Sequence, residues 1–291
     1  MKKFVLTLAL FLLSYAVFSQ GKAVAREDIL QNLPVMNPVP GGSFTLGTDS
    51  FLDSVEERAA PAHRVELSSF IMAKTLVTQR LWDLFIQDTE YHGYSSYHGY
   101  HGSIKQNIQG PDSPTIFMTW SEAIVFCNWL SNRLGLTPAY LITGTLDPGL
   151  RGGIEVQWIR GTNGYRLITE AEWEYVMYER GLSRDKLIEI YKIAFERKQV
   201  IPLLNTQAGQ LTSFNIMAYP NFGLTEMTWD EYGSFSSESQ RDPTGATGLY
   251  SRGVRKVRRY FSDSILFHRL SMRISGGEGE FIGIRLAQDR L

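Results

Sequence analysis

The stretch from Gly164 to Tyr175, GYRLITEAEWEY, constrains this chain more than any other, because it spells out a strand turning into a helix. Thr169 stands as N-cap with Glu172 three residues on, the spacing of a capping box in which each side chain satisfies an orphan backbone N–H. Ile168 before the cap and Trp173 at the fourth helical position have the spacing of a hydrophobic staple, which fixes the angle of entry into the helix. Glu170 and Glu172 fall in the first turn, where the helix dipole favours negative charge by about 0.3–1 kcal/mol. Arg166 is near enough to pair with one of them. Glu170 and Glu174 share a face at i, i+4, but nothing nearby requires either to be protonated, so an acid/base pair is not expected. The stretch reads as a builder of the fold.

Similar signals recur along the chain. VPGGSFTLG, Val39 to Gly47, reads as a strand entered through a tight bend, and RVELSSFIMAK, Arg64 to Lys74, as a second strand by its near alternation. Val77 to Asp88 carries Leu81, Trp82, Phe85 and Ile86 at helical spacing with Thr78 as cap. Thr119 and Glu122 predict a second capping box, followed by Ala123, Cys127, Leu130 and Leu134 on one face. Leu182 to Arg197 has the periodicity of a further helix, and Ala23 to Val35 that of a short helix or loop. The C-terminal third holds short apolar runs with glycine and serine between them. No repeat of fixed period and no linker divides the chain.

At 291 residues with a formal charge of -1, the chain has the size of a globular domain and no general field for nucleic acid or anionic membrane. Its first residues, MKKFVLTLALFLLSYAVFSQ, combine a basic start, an uncharged run from Phe4 to Phe18, and small residues Val17 and Ser19 before a cut at Gln20. An export signal over 1–19 is expected, followed by a lead-in segment over 20–35 and a single domain over 36–291. An uncleaved anchor is the alternative, although about 15 apolar residues are short for a span of roughly 20. No transmembrane span is expected after signal removal. Cys127 is the single cysteine, so no internal disulfide forms, and a lipid-modified cysteine near residue 20 is not expected.

With these blocks in view, the chain resembles the formylglycine-generating enzyme, or sulfatase-modifying factor, superfamily. GYRLITEAEWEY is similar to its signature, with Ile168 where proline usually stands. VPGGSFTLG, PAHRVELSSF with LVT (Pro61 to Phe70, Leu76 to Thr78), DSPTIFMTWSEAIVFCNWLSNRLG (Asp112 to Gly135), NFGLTEM (Asn221 to Met227), DPTGATG (Asp242 to Gly248) and GIRLA (Gly283 to Ala287) resemble further blocks in the family order. The resemblance covers about residues 36 to 288. It implies an α+β fold related to C-type lectins, with small antiparallel sheets, helices and much irregular structure. It makes Arg166, Thr169, Glu170, Glu172, Trp173, Trp120 and Trp129 signature residues of structure. It also implies a similarity to the non-oxidase branch of exported members, which includes gliding-motility and type IX secretion components of Bacteroidetes.

The oxidases of the family use two cysteines in the C-terminal third to bind copper, and this chain has none after Cys127. Copper is therefore not expected, and no catalytic or cofactor-binding residue is assigned. The Gly-Asn pair of the family calcium block is missing from MTWDEYG, Met227 to Gly233, which leaves Asp230 and Glu231 as the oxygen ligands on which calcium would depend. The expected function is an exported non-catalytic scaffold or binding protein, a pseudoenzyme of the periplasm or outer membrane or a secreted one, with envelope protein partners. The alternatives are an enzyme that does not use the cysteine pair and a lectin-like glycan binder.

Remaining candidates are local. His92, His98 and His101 lie in a tyrosine- and glycine-rich stretch and read either as metal ligands or as part of a solvated recognition loop. RGVRKVRR places Arg252, Arg255, Lys256, Arg258 and Arg259 within eight residues. They form either a partner surface for phosphate-bearing polymer or an acidic protein, or an edge strand blunted by charge against aggregation. Nucleic acid is not expected as a partner of an exported chain. No Ser-His-Asp order, Walker loop or zinc-protease helix is present.

Overall fold

A computed structural model describes residues 23–47, 61–90, 110–116, 118–144, 154–179, 210–218, 225–231, 233–245, 257–261, 271–275 and 282–290. Helix α1 (Arg26–Asn32) leads into strands β1 (Met36–Val39), β2 (Gly42–Leu46), β3 (His63–Leu67) and β4 (Phe70–Ala73), then α2 (Gln79–Thr89) and α3 (Trp120–Arg133). A hairpin of β5 (Tyr140–Gly144) and β6 (Ile154–Trp158) precedes β7 (Arg166–Leu167) and α4 (Glu170–Glu174), which runs on into a wider helical turn at Tyr175–Glu179. The remainder is β8 (Gln210–Leu211), β9 (Met217–Ala218), β10 (Thr225–Met227), β11 (Gln240–Arg241), β12 (Val257–Phe261), β13 (Ser271–Ser275), β14 (Ile282–Ile284) and β15 (Leu286–Asp289). The predicted helix at Leu182 to Arg197 lies outside the described residues.

The helices begin where the caps place them. Thr78 Oγ accepts from the Leu81 N–H at 3.3 Å, and both Thr119 with Glu122 and Thr169 with Glu172 close reciprocal capping boxes. Helix α3 buries far more than the one predicted stripe, with ten of its residues inside, Glu122 and Ser131 among them. It ends at Gly135, whose φ of +74° sits in the left-handed region that stops a helix cleanly. The reach of α3 into the interior is aromatic: Trp82, Phe85, Phe126 and Trp129 contact one another at ring separations of 5.1 to 5.7 Å.

The sheets are short and stitched by distant segments. One orders its strands β1-β4-β15-β7 and another β13-β12-β10-β14, while β11-β3-β2 forms a third. Most neighbours run antiparallel, but β10 with β14 and β11 with β3 are parallel. The single strand read at Arg64 to Lys74 is two strands in two sheets. Ser68 breaks it, because its N–H and hydroxyl both donate to the Asp242 carboxylate at 2.7 and 2.8 Å. The edge-strand reading of the basic run is also overturned: Val257–Phe261 is hydrogen-bonded to β10 on one side and β13 on the other. A strand with both sides paired offers no free ladder for charge to protect.

Two buried arginines hold the sheets together. Arg285, between β14 and β15 and fully buried, donates to both oxygens of Glu226 at 2.8 Å and to the carbonyls of Ala73, Lys74 and Met217. Arg166 donates to both oxygens of Glu172 and to Asp289 on β15. Each guanidinium fills its donor fork with carboxylate and carbonyl oxygens, the arrangement that makes a buried charge tolerable. The segment ahead of β1 belongs to the same body. Ile29 is fully buried, and Asp88 accepts from the Val24 N–H and the Trp129 indole while pairing with Arg133.

Candidate functional site

The N-terminus of α4 is where fold and chemistry meet. Ile168 and Trp173 are buried in one apolar cluster, as the staple requires. Glu172 serves three donors at once: the Thr169 N–H at 2.8 Å and the Arg166 fork at 2.8 and 2.7 Å. Burial alone lowers the Arg166 pKa, but Glu172 and Asp289 outweigh it and hold the guanidinium above its ordinary value. The ring of Trp158 lies under both Arg166 and Arg160, at 4.9 and 4.5 Å from their guanidinium carbons. The capping box, the staple and the Arg166 pair therefore all form as the sequence spells them.

Glu170 turns away from this clasp toward a different partner. Its backbone N–H donates to Asp230 Oδ2 at 2.6 Å, and the adjoining turn is fixed by the Trp229 N–H donating to the Ile168 carbonyl. Burial pushes the Asp230 carboxyl up to about 8, with the negative Glu170 and Glu172 adding to the effect. The group whose carboxyl is raised is Asp230, which the reading of Glu170 and Glu174 did not consider. Glu174 is buried on the same helix but does not line the opening described next.

Glu170 and Asp230 form the floor of a cleft of about 210 Å³ whose other lining includes Leu46, Phe235, Pro243, Ser234, Ser236 and Gln240. Gly245 closes one end. Its φ is +97°, and a Cβ there would fall 2.9 Å from Asp230 Cβ, so only glycine lets this loop press against the Asp230 turn. Opposite, His63 Nε2 lies 3.2 Å from Gln240 Oε1 and the His63 ring packs on Phe235 at 5.4 Å. No spacing rule in the sequence joins Glu170 to Asp230, sixty residues on. Glu231 sits beside the floor in a backbone bridge with Gly245 and does not line the cleft. Among the described residues no three His, Cys, Asp or Glu side chains come together as a metal cage. Calcium, which takes six to eight oxygens, would find Asp230 already engaged by the Glu170 N–H.

The other candidates separate. Trp120 and Trp129 are core residues, the former 5.3 Å from the half-buried Trp229 ring. Cys127 is fully buried in α3, and burial raises its thiol far above the ordinary range, so it is a packing group and does not fit a copper thiolate site. His92, His98, His101, Arg252, Arg255 and Lys256 lie outside the described residues. Arg258 and Arg259 stand in register with Met227 and Glu226 across the β10 ladder.

The fold is similar to that of Treponema denticola variable protein 1, at 20% identity and a TM-score of 0.58 over 88% of this chain and 95% of that one. It is also similar to PvdO from Pseudomonas aeruginosa, at 16% identity and a TM-score of 0.55 over 93% and 98%. Caps, clasps and sheet order define an α+β domain of the formylglycine-generating-enzyme type. A sequence profile for the sulfatase-modifying factor enzyme 1-like domain matches residues 21–194, and the chain belongs to that family. Its curated relatives include Chaperone protein LppX from Paenibacillus barcinonensis, 30% identical over 166 residues, 55% of this chain and 48% of the relative. They also include the formylglycine-generating enzyme of Bos taurus, 24% identical over 136 residues, 34% of this chain and 36% of the relative. The matches span under half the length of these relatives.

Proposed function

We propose that this chain is an exported, non-catalytic scaffold or binding protein of the cell envelope, built on the formylglycine-generating-enzyme frame and acting through a protein partner. The observation that carries this reading is Cys127: the only thiol in the sequence is a buried packing group of α3. Oxygen activation at a copper thiolate centre needs accessible soft sulfur donors, and the chain offers no second thiol to complete a pair. The capping boxes and the two buried arginine clasps give the chain a fixed shape without any reactive thiol. A relative named as a chaperone agrees with binding rather than turnover. A place in a secretion or gliding-motility assembly follows from the resemblance alone and makes the outer envelope the first place to look. Crosslinking with mass spectrometry in native envelopes tests the proposal. A reproducible protein partner is the expected result. Absence of any stable partner, together with aldehyde formation on a cysteine peptide by the purified chain, would overturn it.

A further inference from the structure

Asn163 and Gly164 are the only asparagine and glycine that follow one another in the sequence, and they stand just ahead of β7. The fold requires both. Asn163 Oδ1 accepts from the Thr137 N–H at 2.8 Å, which ties the stretch between β6 and β7 to the loop after α3. A Cβ on Gly164 would run into the Thr137 carbonyl and fall 2.9 Å from the Ala139 nitrogen, so no larger residue can follow Asn163. The same pair is chemically labile, because a glycine has no Cβ to hinder attack of its own nitrogen on the preceding asparagine side chain. The surroundings favour that attack. Asn163 is exposed, and although Gly164 is buried, the atom it would attack belongs to its neighbour. Among the described residues the Gly164 N–H donates to no acceptor. Gln288 Nε2 donates at 2.7 Å to the Asn163 carbonyl, the other end of the peptide unit that carries the Gly164 nitrogen. Drawing charge onto that oxygen makes the N–H more acidic. The Thr137 N–H already lies against Oδ1, where negative charge gathers as the amide carbon becomes tetrahedral.

We infer that Asn163 is a self-modification site of the folded protein, at which the side-chain amide becomes a carboxylate through a cyclic imide. The Gly164 nitrogen gives its proton to solvent and bonds to Asn163 Cγ, the Cγ–Nδ2 bond breaks, and Nδ2 leaves as ammonia. Water then opens the ring. Breaking the new Cγ–N bond gives aspartate, and breaking the backbone C–N bond gives isoaspartate, with an extra methylene in the main chain. Overall one water is consumed and one ammonia released, with no change in oxidation state. Either product adds a negative charge to the segment that leads into Arg166. Gly161, in the same segment, donates to Asp289, the carboxylate paired with Arg166, so the new charge joins an existing one. The isoaspartyl form also shifts Gly164 off the Thr137–Ala139 backbone on which it is seated, and so strains the entry to β7.

Timed incubation of the purified native chain in mildly alkaline buffer, followed by peptide mapping with mass spectrometry and an enzymatic isoaspartate assay, tests this. The peptide holding Asn163 gains the mass difference between an amide and an acid, ahead of any other asparagine, and contains isoaspartate as well as aspartate. Gln288→Leu, at the surface, slows the native conversion about threefold, the scale of one hydrogen bond, and leaves the rate in urea unchanged. Asn163→Asp shows no mass change in that peptide, which fixes the assignment. An Asn163 that stays intact in the native chain under conditions that convert it in urea overturns the inference. A native rate in Gln288→Leu equal to or above that of the parent overturns it too.

Discussion

Replacing Asp230 with asparagine makes the chain more stable at pH 8, and by an amount that depends on pH. The Asp230 carboxyl has an ordinary value of 3.8 and is pushed up to about 8 by burial and by Glu170. The folded state therefore holds a proton that the unfolded state releases. For a carboxyl whose folded value is raised, the stability it contributes is fully present below about pH 4 and is lost as pH rises to about 8, at up to about 1.4 kcal/mol per pH unit for one proton. The asparagine side chain mimics the neutral form, with its amide oxygen accepting from the Glu170 N–H. Relaxation and water entering the cleft take up part of the penalty, which leaves an expected gain on the order of 2–4 kcal/mol for D230N at pH 8. At pH 4 the gain is close to nothing. Urea denaturation of both proteins from pH 4 to 8 at constant ionic strength reads this directly. Parallel stability curves, or a variant less stable than the parent at pH 8, would refute the reasoning.

Other substitutions test the frame. Arg285→Met leaves Glu226 charged and buried beside carbonyls that lose their donor, so a loss of about 3–5 kcal/mol is expected in denaturant unfolding, and adding Glu226→Leu to it restores much of that loss. Thr169→Ala removes an N-cap whose partners are all internal and costs about 1 kcal/mol by the same assay, with Thr119→Ala close to it. Cys127 stays unmodified by a thiol reagent in the native protein and reacts stoichiometrically once denaturant is added; fast labelling under native conditions would contradict its burial.

The caps were legible because they are local: a threonine, a glutamate three residues on and a flanking apolar pair state their own geometry. The family blocks were legible for a related reason, as each is a short contiguous run. What escaped reading is what joins runs far apart. Ser68 looks like any strand residue until Asp242 claims its N–H and hydroxyl, and the basic run reads as an edge until two partner strands flank it. The cleft escaped entirely, because Glu170 looked like a helix-dipole residue and Asp230 like a remnant of a metal block. Their meeting depends on a backbone hydrogen bond between segments that carry no shared periodicity.

The position of β15 has a consequence for biogenesis. This strand lies between β4 and β7, and the arginine just before it reaches the Ala73 carbonyl 212 residues back. A ribosome that has produced the first sheet strands and most helices has still not supplied the piece that locks them side by side. Contacts of such long range close slowly, so this sheet is completed only once that late keystone emerges. For the exported protein proposed above, that delay would suit passage through a narrow translocation pore before the chain takes shape.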